Sequence, residues 1–247
     1  MSRFLLVIPC YRERERLPAF LSDLAPQLAA SGLDVAVCVV DDGSGPEHAE
    51  WLRQYVESFR QQMPALRPAL LAPVNLGKGG AIYLGWNQHR DNDWVAFADA
   101  DGATSAREIV RVMREIEHDA QPVPAYFASR VKMLGRTVER RFTRHLTGRV
   151  FATAASMMLD LPVYDSQCGF KVVRRAAYDE VAPRLREMRF CFDVDLLLQL
   201  RTAGQAVREV PVDWADQDGS KVSLLTDSLS MFRSLLKLRR VVQQSRP

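Results

Sequence analysis

Trp94-Val95-Ala96-Phe97-Ala98-Asp99-Ala100-Asp101-Gly102 decides the fold: five apolar residues run straight into an acidic turn that ends on glycine. A short, continuous apolar run bounded by a turn reads as a strand buried on both faces. The same construction occurs twice upstream. Phe4 to Ile8 is an apolar run closed by Pro9, and Val35 to Val40 ends abruptly at Asp41-Asp42-Gly43-Ser44. Between these strands, Leu17, Leu21, Leu24 and Leu28 recur at helical spacing before Gly32, and Glu47 to Gln62 is helical in pattern. Leu70-Leu71 predicts a third short strand, and Gly77 to Gln88 a helix with a glycine-rich start. Strands alternating with helices predict an α/β fold with a mostly parallel central sheet flanked by helices. Such sheets take their ligands at the carboxyl ends of the strands, where these turns fall.

The second half is less regular. Helices are predicted within Arg141–Leu159 and Asp193–Ala203, a strand around Val207–Val212, and an amphipathic stretch over Leu224–Val242. Without repeats or linkers, residues 1–222 read as one domain and 223–247 as a basic amphipathic C-terminal helix. A hydrophobic share of 47% beside 26% charged residues is that of a soluble globular domain, not of a disordered chain. No run approaches the roughly 20 apolar residues that span a bilayer, and the apolar start is too short for a secretory signal. Cys10, Cys38, Cys168 and Cys191 lack paired metal spacing, and the first two read as small core residues. The expected location is therefore cytoplasmic. The basic charge is concentrated: Arg130, Lys132, Arg136, Arg140, Arg141, Arg144 and Arg149 face one acid, Glu139, within residues 130–149. Arg233, Lys237, Arg239, Arg240 and Arg246 form a second acid-free segment, so anionic partners are expected at two places.

Two common phosphate-binding signatures fail. The turn after the first strand, Pro9-Cys10-Tyr11-Arg12-Glu13, has no glycine fingerprint, and Gly77-Lys78-Gly79-Gly80 lacks the P-loop spacing. The acidic turns remain. One Asp after a strand is an ordinary helix cap. Asp41-Asp42 and Asp99/Asp101 together would converge on one sheet edge, where carboxylates repel unless a cation or ligand compensates. Hard oxygen ligands suit Mg2+ or Mn2+, which bind one or two carboxylates together with substrate phosphates.

In this order, Pro9-x-Tyr11-x-Glu13, Asp41-Asp42-Gly43-Ser44, Asn75-Leu76-Gly77-Lys78-Gly79-Gly80-Ala81 and Asp99-Ala100-Asp101-Gly102 resemble glycosyltransferase family 2. Asp165-Ser166-Gln167-Cys168-Gly169-Phe170-Lys171, Phe192-Asp193-Val194-Asp195 and Asp218-Gly219-Ser220-Lys221-Val222 resemble its dolichyl-phosphate β-glucosyltransferases and their bacterial relatives. The resemblance implies a GT-A fold, an inverting reaction and a divalent metal. It places Pro9, Tyr11, Glu13, Asp42, Lys78 and Asp99 around the nucleotide, and Asp101 with Asp99 at the metal. A Gln that relatives specific for mannose carry beside the metal is Ala103 here, as in the glucosyl relatives. Gln167, Cys168 and Gly169 would line the sugar and acceptor pocket, and Ser220 with Lys221 would close over the diphosphate. Asp193 aligns with the family's base position.

A hydroxyl acceptor would need Asp193 to take its proton, whereas a lipid phosphate is already largely anionic at pH 7. The basic cluster favours the second case: Ser129-Arg130 and the Arg140, Arg144 and Arg149 set resemble the acceptor-phosphate segment of polyprenyl-phosphate enzymes, and arginine offers phosphate a bidentate fork. The expectation is hexose transfer, glucose from UDP-glucose, to a polyprenyl phosphate by an enzyme peripheral at the inner face of a membrane. Two rivals stand: the same donor with a hydroxyl acceptor, and a non-catalytic nucleotide-binding subunit. The C-terminal helix reads either as an interfacial membrane helix or as one packed on the domain or on a second subunit. Basic residues without interleaved aromatics speak against nucleic acid.

Overall fold

The computed structural model describes residues 3–131, 135–139, 163–217 and 234–238. The helix predicted within Arg141–Leu159, the candidate ligands Arg144, Arg149, Ser220 and Lys221, and most of 223–247 lie outside the described residues. The chain runs β1 (Phe4–Cys10), α1 (Leu17–Ser31), β2 (Val35–Asp41), α2 (Pro46–Phe59), β3 (Leu70–Leu71), α3 (Lys78–Gln88) and β4 (Trp94–Ala98). It continues through α4 (Ala106–His118), β5 (Ala125–Ser129), β6 (Val138–Glu139), β7 (Phe170–Arg174), α5 (Arg175–Val181), α6 (Phe192–Thr202), β8 (Val207–Pro211) and β9 (Trp214–Ala215).

Seven strands form one sheet in the order β3-β2-β1-β4-β7-β5-β8, and β6 pairs with β9 separately. The continuous apolar runs are explained by two cores, one on each face of the sheet. Along β1, Phe4, Leu6 and Ile8 enter one core with α1, α2 and α4, while Leu5 and Val7 enter the other with α3, α5 and α6. β2 divides likewise, with Val35, Val37 and Val39 opposite Ala36, Cys38 and Val40. The period-2 alternation of a strand is present, but both faces are apolar.

The strands read from the sequence are found to within a few residues. Besides the short β6 and β9, the strands missed are β5 and β7, which bring the second half to the site. β7 runs antiparallel to β4, pairing Ala98 with Phe170 and Phe97 with Lys171. It therefore enters the sheet at the edge where β4 leaves it, and the Asp165–Gly169 turn lands beside Asp99. β5 ends at the same edge, placing Ser129 and Arg130 there.

Helix α4 also escaped the pattern reading, although its start follows known rules. Ser105 caps it by accepting from the Glu108 amide at 3.4 Å. Glu108, three residues on, is buried and accepts from Arg111, Arg136 and the Asp213 amide at 2.8–3.3 Å. This clamps the start of α4 onto the β6–β9 pair, and the Ala215 amide donates to the Ala103 carbonyl at 3.0 Å beside the acidic turn. Of the C-terminal segment, residues 234–238 are helical. Leu235 and Leu238 are buried in the core that holds α6, and the Ser234 hydroxyl donates to Glu187 at 2.9 Å. There the apolar side packs on the domain.

Removing the shared acid of the α4 clamp takes from Arg136 its carboxylate partner among the described residues and leaves Arg111 with Glu115 alone. Glu108→Ala is expected to cost about 3–5 kcal/mol in urea unfolding, against about 1 kcal/mol for loss of the cap in Ser105→Ala.

Candidate active site

The site lies where β1, β2 and β4 end and β7 begins. At the β2 end, the two acids build turns. Asp41 Oδ2 accepts from the Ser44 amide at 3.0 Å, and the Ser44 hydroxyl accepts from the Arg12 amide at 2.9 Å. That bond holds Arg12 at φ 56, in the left-handed region, directly after Tyr11. Asp42 accepts from the Leu76 and Gly77 amides at 2.7 and 3.0 Å and from Asn75 Nδ2 at 3.0 Å. Burial pushes the Asp42 pKa up, and the two amides pull it part of the way back. A carboxylate has about four acceptor sites, so Asp42 keeps one for a ligand.

The glycine-rich start of α3 is shaped by packing more than by openness. The Gly80 amide donates to the Met188 carbonyl at 2.9 Å and so serves the packing of this segment. A Cβ on Gly79 would lie inside the Phe192 side chain, so α3 and α6 touch there. Lys78 does face the site: its ammonium meets Asp99 Oδ1 at 2.6 Å. Burial works against that charge, but Asp99 and Asp193 outweigh it and hold the Lys78 pKa above its ordinary value.

Asp99 and Asp101 share the turn but differ in environment. The Asp99 amide donates to the Gly169 carbonyl at 2.9 Å, and a Cβ on Gly169 would overlap the Asp99 carboxylate. Gly169 is thus required by the approach of an acid. Asp101 Oδ1 accepts from the Ala103 amide at 3.0 Å, while its Oδ2 stands 3.7 Å from Arg16. Burial, then Asp99, raises the Asp101 pKa. Arg16, not singled out in the sequence, also forks onto Glu13 at 2.6 and 2.7 Å, and so joins the β1 turn to the acidic turn. Among the described residues, no three His, Cys, Asp or Glu side chains are grouped to hold a metal. The Asp99/Asp101 pair has donor chemistry that suits a small divalent cation taking its other ligands from phosphate and water.

The 165–169 turn is held by Arg130. The Arg130 Nε and one terminal nitrogen donate to Asp165 at 2.6 and 2.8 Å, and its amide donates at 3.0 Å. Burial alone would raise the Asp165 pKa, but Arg130 overrides it and brings it to about 2. Arg130, expected as a phosphate ligand, is therefore bonded to a buried acid, and its guanidinium lies 5.3 Å from the Trp214 ring. Cys168 corrects the pocket reading: its thiol is buried in the core with Phe170, and burial pushes it up to about 11. What it presents to the site is its carbonyl. Gln167 Nε2 reaches the Phe190 carbonyl at 3.4 Å.

Asp193, in the first turn of α6, is 2% exposed. Its Oδ2 lies 3.4 Å from Lys171 Nζ, and its Oδ1 has no hydrogen-bond partner among the described residues. Burial raises its pKa, while Lys171 and Lys78 work in the opposite direction. The structure thus brings Lys78, Asp99, Asp101, Gly169 and Asp193 to one edge, with Tyr11, Glu13 and Asp42 beside them. The sequence motif contained Lys171, but nothing in its pattern marked it as facing Asp193.

Residues 5–182 match the protein family described as glycosyl transferase family 2. Dolichyl-phosphate beta-glucosyltransferase of Dictyostelium discoideum is 28% identical over 242 residues, covering 95% of this chain and 73% of its own length. The protein of that name from Saccharomyces cerevisiae is 29% identical over 247 residues, with the same two coverages. Glucosyl-3-phosphoglycerate synthase from Mycobacterium tuberculosis, solved in complex with Mn2+, UDP and phosphoglyceric acid, superposes with a TM-score of 0.68 at 14% identity. That likeness covers 96% of this chain and 78% of the solved one, and it carries the fold alone, which is GT-A.

The Arg130–Asp165 pair generates a pH prediction. The folded pKa of Asp165, about 2, is below its unfolded value, so the stability it contributes is present above about pH 4 and is lost as pH falls toward 2. The contribution is about 2 kcal/mol at neutral pH. Urea unfolding at pH 7 and pH 3 should show this loss in the native protein, and a flatter pH dependence in Asp165→Asn.

Proposed function

The chain belongs to glycosyl transferase family 2, and from that premise we propose that it transfers glucose from UDP-glucose to a polyprenyl phosphate at the cytoplasmic face of a membrane. The observation that carries this reading is the meeting, across Gly169, of the Lys78–Asp99–Asp101 turn with the buried Asp193. One side offers cations and acids to a sugar diphosphate, and the other offers a buried carboxylate to an acceptor. The names of the relatives at 28–29% identity support glucose as the sugar and a lipid phosphate as the acceptor.

Tyr11, Glu13 and the remaining acceptor site of Asp42 would receive the base and ribose. Asp101, with Asp99, would hold Mg2+ or Mn2+, which when bound neutralises charge on the diphosphate. Lys78 stands 2.6 Å from Asp99 and would share its charge between that acid and the leaving diphosphate. A phosphate oxygen of the acceptor attacks C1 opposite the diphosphate. The new C1–O bond forms as the bond from C1 to the diphosphate oxygen breaks, its electron pair leaves with UDP, and the configuration inverts. The attacking phosphate is already anionic, so no proton has to be removed. With Arg130 bonded to Asp165, cationic positioning of the acceptor falls to Arg144 and Arg149. Among the described residues no helix is long and apolar enough to cross a membrane.

A second reading, a hydroxyl acceptor deprotonated by Asp193, is favoured by the raised pKa of that carboxyl and its unpartnered Oδ1. Replacement separates the two: the turnover lost in Asp193→Asn should recover in part at high pH only if a hydroxyl is attacked.

Thermal shift with Mn2+ tests the donor. UDP-glucose is expected to raise Tm by several degrees, GDP-mannose is not, and Asp101→Ala should abolish the shift. Stabilisation by GDP-mannose alone would sink the donor assignment. Product analysis on a short prenyl phosphate should show loss of glucolipid in Arg144→Ala or Arg149→Ala while donor binding persists.

A further inference from the structure

Lys171 is a fully buried cation in the middle of a central strand. An ammonium in such a place is costly unless it is paired and hydrogen-bonded. Its Nζ donates to the Cys168 carbonyl at 2.7 Å and stands 3.4 Å from Asp193 Oδ2. The Phe97 and Phe127 rings lie 5.2 and 5.0 Å away, and so confine it from both neighbouring strands.

A buried ion pair that merely ties β7 to α6 would be expected to satisfy both carboxylate oxygens. Asp195, two residues along the same helix, does this: Oδ2 accepts from the Arg186 and Glu187 amides at 2.7 and 2.9 Å, and Oδ1 from Gln199 at 3.2 Å. Asp193 does not, since its Oδ1 is buried and without a partner among the described residues. An orphaned acceptor beside a pinned one is the arrangement of a carboxylate kept for a ligand. The charged groups facing it are Lys171 from β7, Lys78 from α3 and Asp99 from the turn after β4, with Tyr83 and Cys191 also in its field.

We propose that Lys171 is a positioning residue for the transfer: held by the Cys168 carbonyl, it fixes Asp193 through Oδ2 so that Oδ1 is left to accept from a hydrogen-bond donor of the bound substrates. The assignment rests on the glucosyl-transfer reading above and adds a residue to it. It also gives the Cys168 backbone a role, because that carbonyl sets the height of the lysine in the sheet.

The test is a double-mutant cycle on the full chain with Lys171→Met, Lys171→Gln and Asp193→Asn, using UDP-glucose, Mn2+ and a short prenyl phosphate. Each lysine variant is expected to lower kcat about 100-fold while KM for UDP-glucose stays within threefold. In the Asp193→Asn background either should cost less than a further threefold, because its effect passes through Asp193. Wild-type kcat in a folded lysine variant, or losses that multiply in the double variant, would overturn the proposal. Lys171→Gln retains a donor for the Cys168 carbonyl and serves if Lys171→Met fails to fold. Failure of the unmutated protein to glucosylate prenyl phosphate would instead count against the transfer reading. The Asp193 carboxyl resonance, in 13C-labelled protein assigned with Asp193→Asn, reads the positioning without any turnover. It should move in Lys171→Gln at pH 7, and an unmoved resonance would refute the link.

Discussion

Asp99, Lys78, Asp193 and Lys171 alternate in sign within the space between the β4 end, the β7 start and the first turn of α6. The buried Asp193 carboxylate loses hydration and is repelled by Asp99, and the neighbouring lysines work against both effects. Each cation is held in place by what surrounds it. Lys78 emerges from a helix start that glycine allows to press against Phe192, and Lys171 is confined by two aromatic rings and a backbone carbonyl. Gly169 gives up its side chain so that Asp99 can reach the cluster. The antiparallel direction of β7 is what allows these four groups to meet.

The acids of this chain divide by how completely their oxygens are used. Asp42, Asp165 and Asp195 each accept several protein bonds and hold the loops at 75–77, 165–169 and 185–191 against the sheet edge. Asp99, Asp101 and Asp193 keep capacity in reserve, and these three stand where metal, diphosphate and acceptor would converge. A transferase needs both kinds. The reserve is useful only because Asp42, Asp165 and Asp195 hold their loops off it, Asp42 itself retaining one acceptor site.

Reading by pattern succeeded where the pattern is local. The buried runs Phe4–Ile8, Val35–Val40 and Trp94–Ala98, with the helices between them, follow from continuous apolarity and 3.6-residue spacing, and all appear as strands and helices. Reading failed at Ala125–Ser129 and Phe170–Arg174. Each is a five-residue strand, one preceded by Pro-rich sequence and the other carrying Lys171 and Arg174, so neither declares itself as a buried run. That Arg130 would bond Asp165 and that the Cys168 thiol would be buried were not legible in the sequence. A guanidinium looks the same in a sequence whether it will meet a phosphate or Asp165.

The sequence by itself determined the α/β class, the sheet edge where chemistry would gather and the family to which the chain belongs. These depend on residue type and spacing, which the chain carries openly. Only the tertiary structure decided which acid is spent on a loop and which is kept, that Arg16 joins Glu13 to Asp101, and that Lys171 faces Asp193. Those outcomes depend on distances of three or four ångströms between residues far apart in the chain. Hydrogen bonding and desolvation act over that range, and no spacing along a strand or helix encodes it.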